Sequence, residues 1–154
     1  MVTGQSSQSR GNRLHWRLIP FTAPVQMVTS PHSYPIKPDM NPINTVVSWS
    51  SGKDSALTLL RLQEDPRYRV IGLYTTHVSD GVPFQHTPLE VVKAQAERLG
   101  LPLVTIALPE IFPPNPVYQR LVVEGLRQSG LPIDAVAFGD MFCNGIADYR
   151  RSYI

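Results

Sequence analysis

Six consecutive residues, Ser50-Ser51-Gly52-Lys53-Asp54-Ser55, have the types and spacing of an anion-binding loop. They follow the β-rich run Thr45-Val46-Val47-Ser48-Trp49 and open a helical pattern. Small side chains let the backbone turn tightly, and Gly52 tolerates positive φ. Backbone N–H groups at the start of the following helix then point at an anion, assisted by the helix dipole. Lys53 adds a mobile positive charge for phosphate oxygens, and Ser50 and Ser55 offer hydroxyls. Asp54 suits a helix cap or a magnesium ion rather than a phosphate. A Walker A loop is excluded. That pattern requires a glycine where Val47 stands and a Ser or Thr where Asp54 stands.

Further candidates lie at the ends of apolar runs. Thr75 and Thr76 close the run Tyr68 to Thr76, and Gly139-Asp140 follows the run Asp134 to Phe138. Gly139-Asp140 reads either as a strand-end turn with a helix cap or as a nucleotide or magnesium site. His86 is a loop histidine. Tyr149-Arg150 fits a phosphate or substrate anchor as well as a solvated helix face. Trp49 reads as a core or loop-packing residue, and Cys143, having no His or Asp pattern around it, as a packing or surface residue.

These residues need a scaffold, and the chain supplies an alternation of strand and helix. Helices are predicted over Asp54 to Gln63, with Ala56, Leu57, Leu59 and Leu60 apolar, and over Pro88 to Leu99, with Leu89, Val92, Ala96 and Leu99. A third covers Pro116 to Gln128, with Val117, Leu121 and Val122 on one side, and a fourth begins at Gly145. Asp65-Pro66, Gly100 and Gly130 stop the first three. Strands are predicted at 45–49, 68–76, 103–107 and 134–138. This alternation predicts an α/β domain with a parallel sheet and right-handed crossovers. Such sheets bind ligands beyond the carboxyl ends of their strands, where each candidate above falls.

The segment Ser48-Trp49-Ser50-Ser51-Gly52-Lys53-Asp54-Ser55 resembles the PP-loop of N-type ATP pyrophosphatases, usually S-G-G-x-D-S. The tryptophan and lysine narrow the resemblance to the diphthine–ammonia ligase family and its adenine nucleotide alpha hydrolase relatives. Tyr68 to Thr76 is similar to the family's second strand. Gln85-His86 with 89–103 is similar to its His-Gly element and following helix. Residues 135–150 (AVAFGDMFCNGIADYR) are similar to its F-G-D-x-F…Y-R element. The resemblance covers about residues 43–151.

It implies a HUP-type doubly wound sheet of order 3-2-1-4-5, of which this chain would supply 3-2-1-4, the fifth strand missing and the domain incomplete at its C-terminus. It also implies ATP and Mg2+ as ligands. Ser50, Ser51, Gly52, Lys53, Asp54, Ser55, Thr75, Thr76, His86 and Gly139 would bind the nucleotide. Lys53 and Asp140 would carry catalysis, and Asp54 and Asp140 would face magnesium. The implied reaction is cleavage of ATP to AMP and pyrophosphate, adenylating a small-molecule or protein carboxylate on the way to an amide. A non-catalytic nucleotide-binding module and an inactive truncated remnant are the alternatives. Two exchanges depart from the family. Ser51 replaces its second glycine, which suits a tight loop if φ stays negative, and Thr87 replaces the glycine after the histidine.

Charge and composition narrow the partners. Residues 1–39 carry Arg10, Arg13, Arg17 and Lys37 against Asp39, so the net charge of +2 originates there, and the remainder is slightly acidic. No broad cationic surface for nucleic acid is expected. No apolar run reaches the ~18 residues of a membrane span. The single cysteine fits a reducing cytoplasm, and a homodimer is compatible with the sequence. Residues 1–39 hold five prolines and no periodicity. They are expected to be a disordered extension, either a targeting segment or an overextended start with Met40 as the initiator. The folded domain is expected over 40–154.

Overall fold

A computed structural model describes residues 17–20, 41–83, 85–139 and 145–154. The elements in chain order are β1 (Arg17–Pro20), β2 (Ile43–Ser48), α1 (Lys53–Gln63), β3 (Tyr68–His77), β4 (Gly81–Val82) and β5 (Thr87–Pro88). They continue with α2 (Leu89–Leu99), β6 (Leu103–Ala107), α3 (Asn115–Gln128), β7 (Ala135–Phe138) and α4 (Ile146–Arg151). The α/β reading is thus realised as four parallel strands, in the order β7-β2-β3-β6, with helices on both faces.

The sheet differs from expectation at one edge. It has five strands, because β1 pairs antiparallel with β7, from Arg17↔Phe138 to Pro20↔Ala135. Residues 1–39 were expected to contain no such element. The physical reason is that the outer edge of β7 offers unpaired N–H and C=O groups, which any extended segment can satisfy. Pro20 is tolerated because an edge strand can dispense with one donor. The rest of 1–39 and Met40 lie outside the described residues.

Two apolar layers sandwich the sheet. Val47, Leu73 and Ala137 pack with Leu59 and Leu62 of α1 and Val92 and Ala96 of α2. Val46, Tyr74, Ile106, Val136 and Phe138 face Val122 and Leu126 of α3. Alternate strand residues enter opposite layers, as the pleat requires. The buried stripe of α1 is Ser55, Thr58, Leu59 and Leu62; of the apolar residues that mark the helix, Leu59 enters it while Leu60 is exposed. Gly100 adopts left-handed φ at the C-cap of α2, the usual service of glycine at a helix C-terminus. Gly125 has another reason to be glycine. A Cβ there would lie 2.7 Å from Ile106, so it lets α3 seat closely on β6. Among the described residues, no helix is long and apolar enough to cross a membrane.

Candidate functional site

From β2 the chain steps outward through β3 to β6, with α1 and α2 on one face. It then returns through α3 on the other face to β7, on the opposite side of β2. The strand order therefore reverses between β2 and β7, and in open parallel sheets the region beyond the carboxyl ends at such a reversal is where ligands are received. Ser50 to Ser55 lie just after β2, one residue beyond its end, and Gly139 directly follows β7.

The loop is held by short hydrogen bonds. Trp49 N–H donates to Tyr74 C=O at 2.7 Å. The Trp49 ring is buried, and its Nε1–H donates to Gln95 Oε1 of α2 at 2.8 Å, so the loop is anchored to a second helix. Ser55 Oγ donates to Gly52 C=O at 2.8 Å, and Ser50 Oγ lies 3.4 Å from both Ser55 Oγ and the Gly52 nitrogen. No side chain caps α1, whose first i→i−4 bond runs from Ala56 N–H to Gly52 C=O. The N–H groups of Lys53, Asp54 and Ser55 precede that bond, so they are the orphan donors of the helix start.

Two expectations about loop geometry are corrected. Ser51 has φ 68°, left-handed rather than negative, and this is where the strain resides. A non-glycine residue there costs roughly 1–2 kcal/mol. Gly52 has φ −92° and uses no glycine-only conformation. A Cβ there would lie 3.2 Å from Gln85 Nε2 and 3.4 Å from Ser50 Oγ, both movable side-chain atoms. The tip of the β4–β5 hairpin thus brings Gln85 against the loop. His86 is beside it, exposed and at φ 50°.

Gly139 makes the closest approach in the site. A Cβ on it would stand 2.5 Å from Asp54 O and 2.7 Å from Thr58 Oγ1. Thr58 Oγ1 itself donates to Asp54 C=O at 2.8 Å. The end of β7 is therefore pressed onto the first turn of α1, which no larger residue would permit.

Lys53 and Asp54 are joined to each other, with Nζ 2.8 and 2.9 Å from the two carboxylate oxygens. Both are accessible, the Lys53 side chain at 83%. Thr75 is buried, its Oγ1 without a hydrogen-bond partner among the described residues, and Thr76 is half-buried beside it. Asp140 and Cys143 lie outside the described residues. The described residues contain no group of three His, Cys, Asp or Glu that could hold a metal ion. Asp54 is the one expected magnesium-facing carboxylate described, and it is engaged by Lys53.

At the end of β7, Arg150 stacks on Phe138 at 4.2 Å, and Phe138 meets the edge of Tyr74 at 6.3 Å. Tyr153 packs on Tyr118 and Tyr149, and Tyr149 Oη lies 3.3 Å from Asn115 Oδ1. Burial raises the Tyr74 phenol well above its ordinary pKa and raises Tyr153 also. Ser48 approaches the Tyr74 hydroxyl without meeting full bond geometry, and no other described residue bonds it. Sequence reasoning singled out Gln85 only within the Gln85-His86 element and Tyr149-Arg150 only as an anchor or solvated face, and it missed Gln95 and the packing of Tyr118 and Tyr153 around Tyr149. A glutamine next to the buried helix positions Val92 and Ala96 was the one available signal for Gln95.

No protein-family model, curated protein or solved structure matches this chain.

Proposed function

We propose that the 50–55 loop holds the pyrophosphate end of ATP and that the chain acts as an ATP pyrophosphatase-class protein of HUP-type fold. The observation carrying this reading is the uncapped start of α1 at the point of strand-order reversal. Three N–H groups, the helix dipole and a mobile lysine converge where a parallel sheet receives ligands. The order β6-β3-β2-β7 of the parallel strands supports the HUP-type part of the proposal.

In the proposed reaction, an oxygen of an acceptor carboxylate attacks the α-phosphorus of ATP. The bond from that phosphorus to the bridging oxygen breaks, and pyrophosphate leaves with the bonding pair. The amides of Lys53 to Ser55 and the released Lys53 ammonium stabilise the charge growing on that leaving group. An acyl adenylate results, and an amine displaces AMP from it. Lys53 must leave Asp54 to act, and its exposure permits this. Asp140 is the residue proposed to hold Mg2+, which would share the phosphate charge. Thr75 and Thr76 are proposed to flank the adenine side. The uncapped start of α1 also fits a second reading, nucleotide binding without turnover.

Calorimetric titration of the full chain with ATP, pyrophosphate and AMP, followed by product analysis, tests both. Lys53→Ala is expected to weaken ATP and pyrophosphate by ~1–3 kcal/mol, as for loss of a charge-assisted hydrogen bond, and to leave AMP unchanged. Turnover is expected to give AMP and to slow in Asp140→Asn. Binding without products selects the second reading. An unaltered ATP affinity in Lys53→Ala, or release of ADP, would refute the proposed loop chemistry.

A further inference from the structure

The two edges of the sheet are built differently. At one, β1 is four residues long, begins at Arg17 and ends at Pro20, both ordinary devices against edge pairing. At the other, β6 reads Leu103-Val104-Thr105-Ile106-Ala107, with no charge, proline or bulge, and no described strand lies beyond it.

The register fixes which of its groups are open. Leu73 N–H donates to Pro102 C=O, and Leu108 N–H donates to His77 C=O. In a parallel ladder, residues turn both backbone groups alternately to one side and the other. Pro102, Val104, Ile106 and Leu108 therefore face β3. Leu103, Thr105 and Ala107 present their N–H and C=O groups outward. Thr105, the middle one, has an exposed side chain, as does Ala107.

This spacing is self-complementary. A twofold axis at Thr105 opposes Thr105 to its copy and Leu103 to Ala107 of the second chain. All three outward residues then exchange N–H···O bonds as hydrogen-bonded antiparallel pairs. The flanks match under the same operation. Ile111 and Phe112, 50% and 75% exposed, lie beyond the end of β6, and Leu99, 39% exposed, lies before its start. Antiparallel pairing carries each apolar end to the other. It also carries exposed Arg98 towards the end bearing exposed Glu110.

We infer that the β6 edge is a dimerisation surface whose partner is a second copy of this chain, paired antiparallel about Thr105 into one continuous sheet. The inference is independent of the nucleotide chemistry, because β6 is the strand farthest from the β2–β7 reversal point.

Sedimentation of the full chain over a concentration series should show a monomer–dimer equilibrium. Thr105→Asp places two carboxylates opposite each other at the axis. It should raise the dimer Kd by at least about tenfold, because like-charge juxtaposition is costly, while circular dichroism stays unchanged. Thr105→Cys in a Cys143→Ser background covers the case in which the aspartate variant does not fold. The paired Cα atoms would stand about 5.5 Å apart, within disulfide reach, so mild oxidation should give covalent dimers. A chain that stays monomeric throughout overturns the inference. So does a dimer that survives Thr105→Asp in folded form, or a Thr105→Cys variant that does not cross-link.

Discussion

Replacing Gly139 by alanine tests the close seating of β7 on α1. The new methyl carbon would stand 2.5 Å from Asp54 O, 2.7 Å from Asp54 C and 2.7 Å from Thr58 Oγ1. Ordinary carbon contacts begin at 3.4 Å, so the first turn of α1 must retreat by roughly 0.9 Å at that oxygen, or β7 must twist away. The obstacle is backbone, and Thr58 is locked to it by a 2.8 Å hydrogen bond. No flexible side-chain end can yield instead. Overpacking of this kind typically costs 1–3 kcal/mol, and a backbone obstacle places the substitution at the upper end, about 3 kcal/mol. That corresponds to a melting temperature lower by on the order of 10 °C. Urea melts of wild type and Gly139→Ala, compared at equal m, measure it. Gly52→Ala is the control. Its φ suits any residue, and the nearest atoms belong to the movable Gln85 and Ser50 side chains, so a loss below about 1 kcal/mol is expected. Equal midpoints for Gly139→Ala and wild type would refute the reasoning.

Ser51→Gly should stabilise the fold by about 0.5–1 kcal/mol, since relief of left-handed strain exceeds the added chain entropy; a destabilised variant in the same melts would show that Ser51 is not strained. Asp65 is held below its ordinary value of 3.8, mainly by the side-chain hydrogen bond from Arg67. Its contribution is therefore complete above pH 3.8 and is lost as pH falls through the lowered folded value. Asp65→Asn should be less stable than wild type at neutral pH by under about 1 kcal/mol, Arg67 being half-exposed, and this gap should close in acid; a gap independent of pH would refute the pairing. Deleting residues 1–39 removes β1 and uncovers the edge of β7, so the melting temperature should fall by a few degrees and exchange of the β7 amides should quicken; unchanged protection at Val136 and Ala137 would show that β1 contributes nothing.

The alternating architecture was legible because each helix of three turns or more carries its own apolar spacing and stop signal. The four parallel strands are apolar runs that such helices must cover. The predicted run 103–107 coincides with β6, and the other long elements agree within one or two residues at most ends. The failures have local physical causes. Arg17–Pro20 has no pattern of its own, and its pairing is decided by an edge far along the chain. β4 and β5 have two residues each, too few for periodicity to register. The left-handed turn fell on Ser51 (φ 68°) rather than on Gly52 (φ −92°), a placement that residue type alone would have assigned to the glycine. The contacts of Gln85 with Gly52 and of Gln95 with Trp49 are tertiary, and no spacing within either segment announces them.

The pairing of β1 with β7 also has a consequence in time. Translation runs from the N-terminus, so Arg17–Pro20 emerges early, while its partner strand is made only after β2, β3 and β6. Until then its backbone groups bond to water or to transient neighbours. The parallel core must assemble before β1 has anywhere to dock, and closing so long a loop places that docking among the slow, late events. What joins last with few contacts is also what opens first. Occasional release of β1 would return the edge of β7 to solvent while the rest of the sheet stays folded. A nascent chain stalled just before Ala135 should accordingly contain no protected β1, and one stalled with β7 clear of the ribosome should acquire it in a single step.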